Sequence, residues 1–486
     1  MILFSPVPTF SLVLLALVGM WLHRSAVIAI VFSLFGLLTA SSLSILFVTV
    51  TGLSAWQDQI MIGLTILVGG VMLGLGGKPV SKPTIGNQLG VLSFVLFVVF
   101  IQIGSRLFGL SSVAFTDGHT ILLLGQEFQG GGESRLDGIQ ALKRGFALPA
   151  LQAFGQDGEY LVGFMPIFFL AALMLTLYLV HEVAPSWRIS GPVGAIVVFV
   201  IFSTEAIFRH AYLINTHSIA WLAMAFFLNM LVKHLRGDLL RPDFASIGLA
   251  VVTVSFVRLD LALLFAPITV SLVLIAAPIS RRYALGIVGA VILPLWLWIS
   301  LATREFPYGG QFGITLFSFI GLLLGALVVL LQGSLRRPLN ILESSWLYWG
   351  AGVIFGLTML LSNVFNSLQH LFVNLFLGEG LWGFTPLVLA LLALLSTFLH
   401  GTEIAPKFLS VSLKILTITL ATYIFTKYLD GATAGVENPT FARIGFGDSL
   451  NRSLVTWLPF AFLPLVRLFS WLDSPRPLRS RKENLG

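Results

Sequence analysis

The stretch "VIAIVFSLFGLLTASSLSILFVTV" (27–50) carries no charge, and runs like it recur along nearly the whole chain, "LVGFMPIFFLAALMLTLYLV" (161–180) among them. Each is about 20 residues long, enough for a helix to cross a hydrocarbon core of roughly 30 Å. Inside such a core every backbone N–H and C=O must find a partner within the protein, which leaves helices and closed barrels. A barrel strand would alternate apolar and polar residues over about ten positions. These runs are continuously apolar, so the expected fold class is all-α: a polytopic transmembrane helical bundle of about 13–15 spans. They are expected near 5–22, 26–48, 59–76, 88–108, 159–180, 191–208, 217–234, 244–257, 262–278, 284–302, 311–332, 346–364, 384–399, 406–426 and 453–470. The stretch 366–383 reads as an interfacial helix rather than a span.

Composition agrees, since only 10% of the 486 residues are charged and the mean hydropathy is +0.96. Soluble domains carry about 25% charged residues. The net charge of +7 does not point to nucleic acid, because no basic face clusters and Lys and Arg mark the cytoplasmic ends of membrane helices. Without cysteine there are no disulfides, thiolate metal sites or cysteine nucleophiles. The first apolar run, Phe10 to Trp21, has no charged region before it, so it is expected to be a retained helix and not a signal peptide.

Charge alternation orients the bundle. With "KHLRGDLLRPD" (Lys233 to Asp243) inside, the connections holding Arg24, Lys78 and Lys82, Arg188, Arg281 and Arg282, Arg336 and Arg337, and Lys407 all fall inside too. So does the basic tail, while most acidic residues fall outside. This threading predicts the N-terminus out and the C-terminus in, in a bacterial inner or plasma membrane. It places two long connections, 109–158 and 427–451, on the extracytoplasmic side. Three regions follow: an N-terminal extension over 1–87, a core over 88–300 that holds the first outer loop, and C-terminal spans over 301–486.

The candidate chemistry lies in those outer segments. Thr116 is placed to cap a short helix in which Asp117 stands first and Ile121, Leu124 and Phe128 share one apolar side. Such a helix would lie on the membrane surface. After "QGGG" a second helix is expected over 135–154, with Leu136, Ile139, Leu142 and Phe146 at helical spacing. A carboxylate held at the interface is what a general base needs when one substrate is a lipid. The alternative is that Asp117 only meets the helix dipole. Glu127 is a supporting candidate that also reads as a solvated loop charge. "SFVRLD" puts Arg258 and Asp260 at the outer end of a short span, where a charge is costly unless used or paired. "GDSLNRS" puts Asp448, Asn451 and Arg452 on one helical face before the last span. Arg452 there could hold a phosphate by paired hydrogen bonds, or it could snorkel from a capped helix. Glu205 and Arg209 pair at i and i+4, with His210 and His217 nearby, and two histidines alone make no metal site. No phosphate-binding glycine loop or zinc-protease helix occurs, which argues against ATP-driven transport and metalloproteolysis.

The stretches "FTDGHTILLLGQEF", "RGFALPALQAFG" and "VSFVRLDLALLFAP", with "GFGDSLNRSLVTWLP" more loosely, resemble segments of the GT-C membrane glycosyltransferases, the protein-mannosyltransferase-like superfamily. That resemblance covers about 88–300 plus the late patch. It implies transfer of a sugar from a polyprenyl-phosphate donor to an extracytoplasmic acceptor. It makes Asp117 the catalytic base, with Arg258 and Arg452 on the donor phosphate. Asp260, Asp448, Asn451 and Glu127 would support them. No resident metal is assigned; some members of that family use a divalent cation and others do not, so the resemblance leaves one open. Two features depart from the family pattern: three spans precede the acidic loop, and Asp117 is followed by Gly118 rather than a second acidic residue. The competing class is a non-catalytic membrane protein, either a lipid or solute transporter or a scaffold subunit. Transporters favour internal repeats and charged or broken mid-span helices, and here Lys414 is the main mid-span charge.

Overall fold

The computed structural model describes residues 6–77, 84–107, 116–130, 145–155, 160–258, 345–398, 406–433 and 435–473, and all regular structure among them is helical. Seven of these helices are long and apolar enough to cross a membrane, or nine if each of two bent pairs is one span. By length and composition this is an integral membrane protein. The expected spans over 262–278, 284–302 and 311–332 lie outside the described residues; every other expected span falls on a helix.

In chain order, α1 (Pro6–Leu22) and α2 (Ala26–Thr51) pair tightly, followed by α3 (Gln57–Gly76) and α4 (Ile85–Leu107). The outward side chains of α3 and α4, among them Ile66, Leu67, Leu89 and Phe100, are apolar, as lipid contact requires. Next come α5 (Thr116–Gly130), α6 (Ala147–Gln152), α7 (Met165–Val183), α8 (Trp187–Ser203), α9 (Glu205–Phe208), α10 (His217–Arg236) and α11 (Arg241–Val257). The C-terminal part holds α12 (Trp346–Leu361), α13 (Val364–Phe376), α14 (Thr385–Phe398), α15 (Pro406–Thr433), α16 (Ser449–Ser453), α17 (Leu458–Ala461) and α18 (Leu463–Asp473).

The core forms around α10, buried from His217 to Val232, and α11, buried from Pro242 to Val257. α1 to α3 share this core rather than forming a separate layer. Apolar packing does most of the joining, because lipid tails offer no hydrophobic drive between helices. A few buried polar contacts set the register. Trp221 Nε1 donates to Thr176 Oγ1 at 3.0 Å, tying α10 to α7. Asn229 Nδ2 donates to the Leu175 and Ala225 carbonyls, and the Thr39 and Thr253 hydroxyls meet at 2.9 Å between α2 and α11.

Three expectations change shape. The span over 191–208 breaks at Thr204, whose backbone is extended, and the two pieces meet at 81°. The Thr204 hydroxyl instead bonds that of Thr385, at 2.6 Å, at the start of α14. The last span is segmented: α16, a tight turn over Leu454–Trp457, α17 and α18, with Pro459 and Pro464 at the segment starts, where a missing N–H does no harm. α13 turns 107° from α12. It fixes Asn363, Ser367, His370 and Asn374 to the backbone of 439–445 and leaves Phe365, Leu368, Phe372 and Phe376 exposed.

The connections sort to two ends. At the short-turn end lie His23–Ser25, the end of α3 at Gly77, Ala184–Ser186 and Gly237–Leu240. They are knitted by Arg241 Nε on the Leu75 carbonyl (2.7 Å) and by Arg236 Nη1 on Glu182 (3.0 Å). At the long-loop end lie the α2–α3 turn, the α5–α6 region, Thr204–Thr216 and the segments 377–384 and 435–448. There Gln57 donates to the Ala153 carbonyl at 3.0 Å.

Candidate functional site

At the long-loop end the start of α10 meets α16 in a buried polar centre. Asp448 caps α16: its Oδ2 accepts from the Asn451 backbone N–H at 3.0 Å, one of the donors a helix start leaves unpaired. That cap turns Asn451 and Arg452 inward. Asn451 is fully buried; its Oδ1 accepts from Trp382 Nε1 at 2.7 Å and its Nδ2 donates to the Gly380 carbonyl at 3.2 Å. Arg452 is only 5% exposed, so it does not snorkel to the surface as a capped-helix arginine would. One residue on, Ser453 Oγ lies 3.3 Å from His217 Nδ1 and is also bonded to the Tyr423 hydroxyl.

His217 opens α10, and its ring stands edge-on to that of His210 with centroids 5.4 Å apart. Asn215 sets both: its side chain bonds His210 Nδ1, and its Oδ1 accepts the His217 backbone N–H at 2.9 Å. His210 Nε2 is buried with no protein partner among the described residues. Arg209 lies 5.2 Å over the Phe446 ring and bonds Glu205 at i−4, the pair the sequence spacing anticipates. The charges of Arg258, Arg452 and Lys427 all bear on His217. Burial raises Asp448 above the ordinary carboxylate range. Backbone N–H groups of Asn451 and Arg443, then Lys427 and Arg452, pull it the other way. Arg452 and Lys427 thus bring positive charge into a desolvated setting of hydrogen-bonding groups, where charge-assisted hydrogen bonds are stronger than in water.

Of the sequence candidates, Arg258, Arg452, Asp448 and Asn451 belong to this region. Arg258 ends α11 in extended backbone. Gly145 guides the chain past that point: its φ is +74°, and an added Cβ would fall 1.7 Å from the Val257 carbonyl oxygen, so only glycine fits. The next N–H, of Phe146, donates to the Phe256 carbonyl at 2.6 Å. The same turn interrupts the helix expected over 135–154, of which the described part is the six-residue α6; Leu136, Ile139 and Leu142 lie outside the described residues.

α5 begins at Thr116 itself rather than after it, and its apolar side is covered by protein. Ile121 and Leu124 are buried, the Phe128 and Phe146 rings lie 5.0 Å apart, and Gly125 abuts Gln152 and Pro149. Spacing identifies an apolar face but not what covers it, and here α6 returns to do so. Asp117 stands in the first turn of α5, about 16 Å along the axis from Phe128 at 1.5 Å per residue. Its side chain, like Asp260 and the pair Arg304 and Glu305, lies outside the described residues. Glu127 is partly buried on α5.

Sequence reasoning assigns no role to Lys427, Tyr423, Gly380 and Trp382, which reach the centre only through the packing of α15 and segment 377–384; Ser453 lies in the late patch but is given no role of its own there. Among the described residues no group of three or more His, Cys, Asp or Glu gathers as a metal site would need. No family profile, curated protein or solved structure matches this chain.

Proposed function

We propose that the chain is an integral-membrane glycosyltransferase that takes a sugar from a polyprenyl-phosphate donor and passes it to an acceptor at the long-loop end. The observation that carries this reading is the burial of Arg452 beside the Ser453–His217 contact, with Lys427 standing over the ring of Tyr423, whose hydroxyl bonds the same serine. A cationic centre at the end of a membrane bundle suits a phosphate that arrives on a lipid. Arg258 and Arg452 hold that phosphate, Asp448 and Asn451 fix Arg452 through the α16 cap, and Asp117 removes the acceptor proton. The charge alternation along the sequence puts this end outside the cytoplasm.

The test measures binding of polyprenyl phosphate to the full chain in nanodiscs. Arg258→Gln and Arg452→Lys should each weaken it by about tenfold or more, the loss of at least one charge-assisted hydrogen bond. Asp117→Asn should bind as the parent does while losing transfer. Unchanged affinity in both arginine variants would overturn the phosphate assignment, and a fully active Asp117→Asn would remove the base.

A further inference from the structure

The short-turn end holds an open cavity of about 220 Å³ between the His23–Ser25 turn, the Gly237–Asp243 turn and Tyr178 of α7. A cavity of this size holds a small polar group. Its lining is mixed in sign. Arg24 and Lys233 supply positive charge, Asp238 and Asp243 supply negative charge, and Ser25, Tyr178 and His23 add polar groups.

The buried wall is already satisfied. Lys233 Nζ donates to Asp243 Oδ1 at 2.9 Å, Asp243 Oδ2 accepts the Leu240 N–H at 2.9 Å, and His23 Nε2 meets Ser246 Oγ at 2.7 Å. Burial lowers His23 to about 4, so it adds no charge near neutral pH. The wall is then neutral overall, and the exposed Arg24 and Asp238 remain as separate, opposite charges on the rim. A simple anion would meet Asp238, and a simple cation would meet Arg24. A ligand that is neutral overall but carries both charges apart meets neither penalty. Leu240, exposed at the same rim, offers apolar contact beside them. Spans end at the headgroup level of a bilayer, where such ligands are abundant.

We propose that this cavity binds a zwitterionic phosphoethanolamine group, with the phosphate on Arg24 and the ammonium on Asp238, presented as a lipid headgroup beside Leu240. This is independent of the long-loop centre and would stand if that reading failed.

The test is native mass spectrometry of the full chain with phosphatidylethanolamine or phosphatidylglycerol, and with free phosphoethanolamine as competitor. The parent should retain the zwitterionic lipid about tenfold better than the anionic one. Asp238→Asn should remove that preference, and Arg24→Gln should weaken retention of both lipids, whose phosphate it contacts. Both residues are exposed, and two variants of opposite charge guard against a folding artefact in either. Competition by free phosphoethanolamine at lipid-equivalent concentration would support the same zwitterion from a soluble source. Equal retention of both lipids by the parent, or undiminished phosphatidylethanolamine retention in Asp238→Asn, would overturn the proposal.

Discussion

Both ends of this bundle carry a buried histidine near charged groups, yet the two are built differently. At the short-turn end the groups come from two tight turns and the helices beside them, and each pairs inside the cluster: His23 with Ser246, Asp243 with Lys233 and Leu240. At the long-loop end the groups come from α10, α11, α15, α16 and segment 377–384, and one imidazole nitrogen, His210 Nε2, has no protein partner among the described residues. A satisfied buried cluster stabilises a fold. A buried polar atom without a partner costs stability instead, and is the kind of group that function commonly accounts for.

This contrast can be broken by mutation. The largest effect is expected for Asp243→Ala, which strips Lys233, His23 and the Leu240 N–H of a shared partner at once. Loss of about 4 kcal/mol is expected, as for breaking a buried ion pair, read as a fall in Tm in detergent. A small loss would mean the short-turn cluster is not what holds that end.

Acid should act on the same cluster. His23 is held at about 4 against an ordinary 6.5, so the unfolded chain takes up a proton that the folded one refuses. The associated stability is fully present above about 6.5 and is lost as pH falls towards 4, up to about 3 kcal/mol. A Tm–pH curve should fall over that window in the parent and flatten in His23→Gln. Equal slopes in both would assign the acid sensitivity elsewhere.

At the other end, Asn451→Ala strands the Trp382 indole N–H and frees the Gly380 carbonyl, for a loss of about 2 kcal/mol. Polyprenyl phosphate affinity should fall with it, because the Asn451 side chain no longer anchors α16, and with it Arg452, to segment 377–384. If Tm falls and affinity does not, Asn451 is structural only. The bundle's middle gives the reference: Thr176→Val removes one interhelical hydrogen bond and should cost about 0.6 kcal/mol, with no effect on binding.

How much of this was legible in the sequence depends on distance along the chain. Apolar runs revealed the helices because a span needs only its own residues, and Asp448, Asn451 and Arg452 were legible as a group because one helical turn holds them. The break at Thr204 was not legible, since its partner, Thr385, lies far along the chain. Nor was the burial of Ile121 and Leu124, because periodicity does not distinguish a lipid-facing side from one covered by α6. Lys427 and Trp382 carried no local signal at all; only tertiary packing brings them in.

The 107° fold-back at α13 has a mechanical consequence. Its phenylalanine and leucine side is what a bilayer surface would grip, while its polar side is fastened to the backbone ahead of α16. Asn374 Oδ1 accepts the Gly445 N–H at 2.7 Å, and the Gly445 carbonyl accepts that of Asp448 at 3.2 Å. This helix, apolar on its exposed side, is thus two hydrogen bonds from the residue that caps α16. A shift of α13 and the position of Arg452 are linked by the same short chain of contacts.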